Sequence, residues 1–487
     1  MKALKSFFFE NKSDYQTIAK NTFWLFFGNI FSRLIRFAIL IYAARILGVS
    51  GWGVFSYALS LAAFFTIFID FGVNAIITRE SSRDLSLQHQ YFSTALLIKI
   101  FLFVLVGFLI YFVSPLFIKQ PEVLALLPLV ILIVGFDGLR DFGATLSRAW
   151  EKMEVESFIQ IITNVLIVIV GFAALYFLPS AKSLAIGYVI GTGVGMIVAF
   201  YPFRHYFKNI RGTFSNKLIK PILAASWPFG MMGLMGALML NTDTIMIGWF
   251  KDINEVGYYS AAQRIAQLFY IIPTLIATAF FPAMAKSKDD PIKFKNFVEK
   301  SLTALSFIAL PLMVGGVLLA GPIIKLLYSS LYTPSIIPFI LMNLTYIPVF
   351  ISAVLGNALF SLNQEKKLVS YVVLGIVGNF LFNLILIPYF GGIGAAVSTV
   401  VNQVIITIYL FRKIKKISSF TYFEKITKML LASLIMGIIV AILNWFSINV
   451  IISIIAGMMV YVSVLAALKD KSLETVKLII QRKNNLL

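Results

Sequence analysis

The run Thr22–Leu47 reads TFWLFFGNIFSRLIRFAILIYAARIL, apolar or aromatic along most of its length and interrupted by Arg33, Arg36 and Arg45. About 20 apolar residues coiled as a helix cross the ~30 Å hydrocarbon core of a bilayer, so this run is long enough to span. No small-residue cleavage site follows it, which makes it a membrane helix and not a removable signal peptide. Similar runs recur near residues 51–78, 92–113, 122–149, 156–178 and 183–203, then near 218–250, 255–285, 297–320, 333–361, 367–388, 393–412, 425–446 and 448–468. A transmembrane barrel would instead need segments of about 10 residues with alternating polarity. The expected fold class is an all-α integral membrane protein of about 14 transmembrane helices.

Composition points the same way and removes several function classes. Apolar residues make up 60% of the 487, charged residues only 13%, and the mean hydropathy is +0.91, whereas soluble domains run at about 45–50% apolar. With no cysteine, disulfides, thiolate metal sites and cysteine nucleophiles are ruled out. The two histidines, His89 and His205, lie in polar connections and are too few for a histidine metal cage. No G-x-x-x-x-G-K-S/T phosphate loop is present, and no soluble stretch is large enough for a nucleotide domain. Neither a catalytic residue, a metal nor a cofactor is expected, and the chain reads as a carrier.

The formal charge of +20 raises nucleic acid or an acidic membrane surface as partners until the basic residues are placed. Counted over alternate connections, 31 of the 41 lysines and arginines fall on one side of the membrane and only Arg45, Lys119, Lys182, Lys251 and Lys325 on the other. That bias makes the rich side cytoplasmic and appears only if the number of helices is even and near 14. Both termini are then cytoplasmic, in the cell membrane. Insertion rules and attraction to anionic membrane lipid account for the excess charge, and no nucleic acid is needed.

An internal repeat divides the chain. Gly53-Val54-Phe55-Ser56-Tyr57-Ala58 recurs as Gly257-Tyr258-Tyr259-Ser260-Ala261-Ala262, an offset of 204. Ser114-Pro115-Leu116-Phe117-Ile118 matches Gly321-Pro322-Ile323-Ile324-Lys325 at 207, and Leu178-Pro179 matches Ile387-Pro388 at 209. Six helices per repeat is even, so the halves insert in the same orientation about an axis along the membrane normal. The expected organisation is a six-helix bundle over 1–203, a basic cytoplasmic linker over 204–217, a second bundle over 218–412, and two further helices with a cytoplasmic tail over 413–487. A central cavity between the two bundles is the expected consequence.

Several stretches carry a resemblance. Ala44-Arg45-Ile46-Leu47-Gly48, Gly53-Val54-Phe55-Ser56-Tyr57, Asp70-Phe71-Gly72 and Arg79-Glu80 open the chain. Asp243-Thr244-Ile245-Met246-Ile247-Gly248 and Val256-Gly257-Tyr258-Tyr259-Ser260-Ala261-Ala262-Gln263-Arg264-Ile265 follow, then Asn379, Asn383, Leu386-Ile387-Pro388 and Gly391-Gly392-Ile393-Gly394-Ala395-Ala396. In this order, over nearly the whole chain, they resemble polysaccharide and oligosaccharide flippases of the multidrug/oligosaccharidyl-lipid/polysaccharide superfamily. The resemblance implies movement of a lipid-linked sugar, carried on a polyprenyl phosphate or pyrophosphate, by alternating access. Relatives moving peptidoglycan precursor, teichuronic-type polymers or drug cations share the fold, which alone does not choose among them.

Charges inside the spans are the candidate site residues, because a central arginine costs roughly 2.5–3.5 kcal/mol even on the lenient insertion scale. Arg33 and Arg36 project from one helix face, and their planar donor forks suit phosphate or pyrophosphate. Pairing with Asp70 or Asp137 is the structural alternative. Arg264 is a third substrate-binding candidate, with an ion pair to Asp243 as its alternative. Asp137, Arg140 and Asp141 share a face at spacings of three and four and can neutralise one another, or serve as an H+ or Na+ coupling site. Lys99, at the start of its helix, is expected to snorkel to the surface. Asn29, Asn164, Asn241, Asn379 and Asn383 are expected to bridge helices. Pro228, Pro273, Pro311 and Pro348 should kink their helices.

Two rival readings remain. A cation-coupled multidrug exporter needs an acidic, aromatic cavity, whereas five basic residues (Arg33, Arg36, Lys99, Arg140 and Arg264) here face Asp70, Asp137, Asp141 and Asp243. A membrane glycosyltransferase or polymerase needs a catalytic segment outside the bilayer, and the outer connections are too short for one.

Overall fold

A computed structural model describes residues 14–84, 87–209, 213–418 and 420–470. The expected basic residues Lys2, Lys5, Lys12, Arg211, Lys471, Lys477, Arg482 and Lys483 lie outside the described residues. Within them the chain is helical, with no strand. Eleven stretches are long and apolar enough to cross a membrane, and the protein is a multi-pass membrane protein.

Helix α1 covers Asp14–Asp70 and is continuous except at Gly48, whose φ of 65° and ψ of −175° turn the chain between two helical limbs. Next come α2 (Val73–Arg83), α3 (Gln88–Phe108), α4 (Leu127–Ala149), α5 (Met153–Phe177), α6 (Ala181–Phe200) and α7 (Asn216–Phe250). Then follow α8 (Ile253–Phe269), α9 (Ile271–Lys286), α10 (Pro291–Leu318), α11 (Ile336–Leu344) and α12 (Tyr346–Ser361). The last three are α13 (Glu365–Lys415), which turns at Gly391 with φ 55°, α14 (Phe423–Trp445) and α15 (Val450–Ala467). The apolar stretches Lys20–Asp70 and Glu365–Lys415 hold 51 residues each, about 76 Å of helix at 1.5 Å per residue. That is more than twice the core of a bilayer, so the glycine turns inside them are required.

The chain forms two compact units, Met1–Gly257 and Tyr258–Leu487. The sequence puts the division in the 204–217 connection, but α7 packs with the first unit. The reason is a close approach at Phe71–Gly72, where α1 ends and α2 begins. Gly72 has φ 81°, and a Cβ there would run into the Ser226 carbonyl of α7 and lie 2.7 Å from the Gly230 nitrogen. The helix expected to run unbroken over 51–78 is therefore interrupted at this crossing. Gly72→Ala is expected to destabilise the protein by about 2 kcal/mol or more, because left-handed strain adds to a backbone clash. Thermal melting in detergent measures it, and an unchanged midpoint would refute the close packing.

In the first unit one end gathers groups from five passes. Lys20 Nζ meets Glu154 Oε2 at 2.9 Å, Trp150 Nε1 donates to Gln88 Oε1 at 3.4 Å, and the Trp150 ring lies 4.7 Å from that of Phe203. Another contact joins the two repeated glycine motifs. A Cβ on Gly53 would strike the Ile253 carbonyl, and one on Gly257 would strike the Val49 carbonyl.

In the second unit the prolines behave unequally. Pro311 is absorbed inside α10, as Pro228 is inside α7. Pro273 and Pro348 each stand just after a break, at Tyr270 and Thr345, since proline removes a helical donor. The two breaks meet, with Tyr270 Oη and Thr345 Oγ1 sharing a hydrogen bond at 2.7 Å. Helix α14 is fixed to α10 through the connection before it. Thr421 N donates to the buried Glu299 at 2.8 Å, and Tyr422 Oη lies 2.8 Å from Ser306 Oγ.

Candidate functional site

Polar residues form a ladder between the first limb of α1 and α5. Above the Lys20–Glu154 pair, Ser157 Oγ donates to the Trp24 carbonyl at 2.6 Å. Next, Gln160 Nε2 donates to Asn29 Oδ1 at 3.3 Å, and Arg36 Nε donates to Asn164 Oδ1 at 2.7 Å. Glu154, Ser157, Gln160 and Asn164 recur every three or four residues, so they line one face of α5. Asn164 spends its amide on the Gln160 carbonyl at 2.7 Å, which leaves its oxygen directed at Arg36. The Arg36 guanidinium lies 5.8 Å from the centroid of Tyr188 on α6. It is thus half-buried and held from two sides.

Arg33, one turn earlier, is exposed. Among the described residues nothing forms a hydrogen bond or ion pair with it. The two arginines expected to act together therefore differ in kind, one anchored and one exposed.

The acidic candidates divide as well. Arg140 Nη1 meets Asp137 Oδ1 at 2.9 Å, and Nη2 meets Asp141 Oδ1 at 2.7 Å. Asp137 also lies within the electrostatic reach of Arg36, so α1 and α4 share one charge cluster. Arg36 and Arg140 balance Asp137 and Asp141 within it.

Asp70 does not pair with the α1 arginines. Its Oδ1 accepts from Lys99 Nζ at 2.8 Å and from the Asn74 nitrogen at 3.2 Å. The expectation that Lys99 snorkels is overturned, because its side chain is fully buried, with the ammonium 5.6 Å from the Phe142 ring centroid. A partner on the preceding helix end and an aromatic face replace water. Asp243 is buried on α7 in the first unit. Arg264 is half-buried on α8 in the second, within electrostatic reach of the buried Tyr328, whose hydroxyl donates to the Ala261 carbonyl at 3.1 Å. Among the described residues no group of three or more histidine, aspartate or glutamate side chains is arranged to hold a metal.

Sequence reasoning singled out Asn29 and Asn164 as helix bridges and missed Gln160 and Tyr188 as parts of the same site. Polar residues at 157, 160 and 164 in an apolar run were the available signal for Gln160. Tyr188 left none, being an ordinary aromatic in a membrane helix.

The chain and its fold are similar to those of known proteins. The chain is 25% identical over 418 residues to the probable flippase AglR of Haloferax volcanii, covering 80% of this chain and 82% of the relative. It is 22% identical to a putative O-antigen transporter of Shigella flexneri, covering 78% and 94%. The fold is similar to that of the lipid II flippase MurJ in an inward closed conformation, with a TM-score of 0.72 at 18% identity over 92% of this chain and 98% of that one. The family model described as polysaccharide biosynthesis protein matches residues 18–288, more than half of the chain, and the protein belongs to that family.

Proposed function

We propose that this protein is a flippase that carries an anionic oligosaccharide, linked to a polyprenyl phosphate or pyrophosphate, across the cytoplasmic membrane by alternating access. The observation that carries the reading is the pair on α1. Arg36 is fixed by Asn164 and Tyr188 while Arg33 remains exposed inside an apolar span. An exposed guanidinium at that depth is costly unless it meets water or an anion, and a phosphate diester or pyrophosphate supplies the matching acceptors. The names of the relatives, flippase and O-antigen transporter, support the same class of cargo.

Arg264 is proposed as a further substrate contact on the second unit. Asp137, Arg140 and Asp141 are proposed as the group through which H+ or Na+ couples to transport, since Asp141 keeps half of its side chain exposed. Fourteen spans with both ends on the basic face is the topology we favour. Counting both limbs of α1 and of α13, and adding the charge-bearing α4 to the eleven apolar stretches, supports that number.

The test is reconstitution into vesicles with a fluorescent polyprenyl-pyrophosphate oligosaccharide. Protein-containing vesicles should expose dye from the inner leaflet to an impermeant quencher, and empty vesicles should not. Equal quenching in both, or efflux of cationic dyes without lipid movement, would sink the proposal.

A further inference from the structure

Helices α5 and α6 leave a groove at the end of the first unit that carries Lys20, Arg148 and Lys152. Val155, Phe158 and Ile159 form one wall and Ile197, Val198 and Tyr201 the other, around about 460 Å³. Its walls are almost wholly apolar, the lining that suits a hydrocarbon chain.

The charges at the rim have a definite balance. Glu154 is engaged by Lys20 at 2.9 Å, and Glu156 by Arg148, whose Nε donates to Oε2 at 2.6 Å. Arg204 stacks its guanidinium 4.5 Å from the centroid of Tyr201, a wall residue, and is exposed. Among the described residues it has no acidic partner. A guanidinium whose flat face rests on a ring keeps its edge donors available, and those donors suit a phosphate.

We propose that this groove binds an anionic phospholipid of the bilayer leaflet on the basic side, one acyl chain between α5 and α6 and the phosphate at Arg204. A chain moving from lipid into an apolar groove gains little, because both surroundings are apolar. Discrimination therefore comes from the head group, at about fivefold per basic residue. The inference needs only that the helices lie in a membrane and stands apart from the flippase reading.

Native mass spectrometry of the full chain, extracted in detergent and given equal phosphatidylglycerol and phosphatidylcholine, tests it without any transport measurement. Wild type should retain the anionic lipid preferentially. Arg204→Gln should reduce that preference about fivefold, and Val198→Phe, which fills the groove, should abolish the retained adduct. Both variants must run as monodisperse protein. If one does not, Arg204→Lys and Val198→Leu take their places, with preference expected to persist in the first and to weaken in the second. Preference unchanged in Arg204→Gln or in Val198→Phe overturns the site, and displacement of the adduct by an equal amount of polyprenyl phosphate reassigns the groove to the carried substrate.

Discussion

Arg33→Ala is expected to cut movement of the lipid-linked oligosaccharide by about tenfold to a hundredfold while leaving melting temperature and membrane abundance unchanged. The magnitude follows from losing hydrogen bonds to a charged group, each about 1.5–3 kcal/mol. The unchanged stability follows from its surroundings, since Arg33 is exposed and bonds to no described residue. Arg36→Ala should lose as much transport but also some stability, because it strands the Asn164 oxygen now bonded at 2.7 Å and removes a cation near Asp137. Asn164→Ala supplies the comparison. It frees Arg36 without removing it, so transport should fall less than in Arg36→Ala. Lysine at position 33 should restore transport only in part, since an ammonium keeps the charge and loses the planar fork. Full transport by Arg33→Ala would end the head-group assignment, and a destabilised but active variant would make the residue structural.

The Asp70–Lys99 pair should give the largest stability effects, and they should be unequal. Lys99 is fully buried while Asp70 keeps about a third of its side chain exposed. Removing one partner of a buried pair costs about 3–5 kcal/mol through the charge left behind. Asp70→Asn leaves the ammonium enclosed beside Phe142 and belongs at the upper end of that range. Lys99→Met leaves a carboxylate that retains contact with solvent and belongs at or below the lower end. The double variant should recover most of the loss, because neither charge is then stranded. Thermal melting of the four proteins in one detergent decides it. Equal costs for the two single variants would refute the inequality, and a double variant whose loss equals the sum of the two would mean that the contact contributes nothing beyond packing.

What could be read from the sequence followed the range of each interaction. The apolar runs are local, and most of their bounds lie within a few residues of a helix end. Asp137, Arg140 and Asp141 stand three and four apart, so their mutual neutralisation was visible as helical geometry, and Arg140 does touch both. The Arg36–Asn164 bond joins residues 128 apart, and no periodicity on either helix announces it. Lys99 was misread for the same reason. Snorkelling is what an isolated helix would do with a lysine, and it took the tertiary fold to bring the end of α1 within 2.8 Å. The Asp70-Phe71-Gly72 stretch was conspicuous as a motif, yet its break depends on α7 crossing at Ser226 and Gly230. Prolines told only part of their story, because whether a helix bends or absorbs one depends on what packs against the freed carbonyl.

The contact between the two repeated glycines is reciprocal. Gly53 faces the carbonyl of Ile253, and Gly257 faces that of Val49; each carbonyl stands four residues before the other glycine, and the same offset of 204 relates both members. A side chain added at either glycine would therefore press on the helix end that carries the other, and a change at one position is felt at its counterpart.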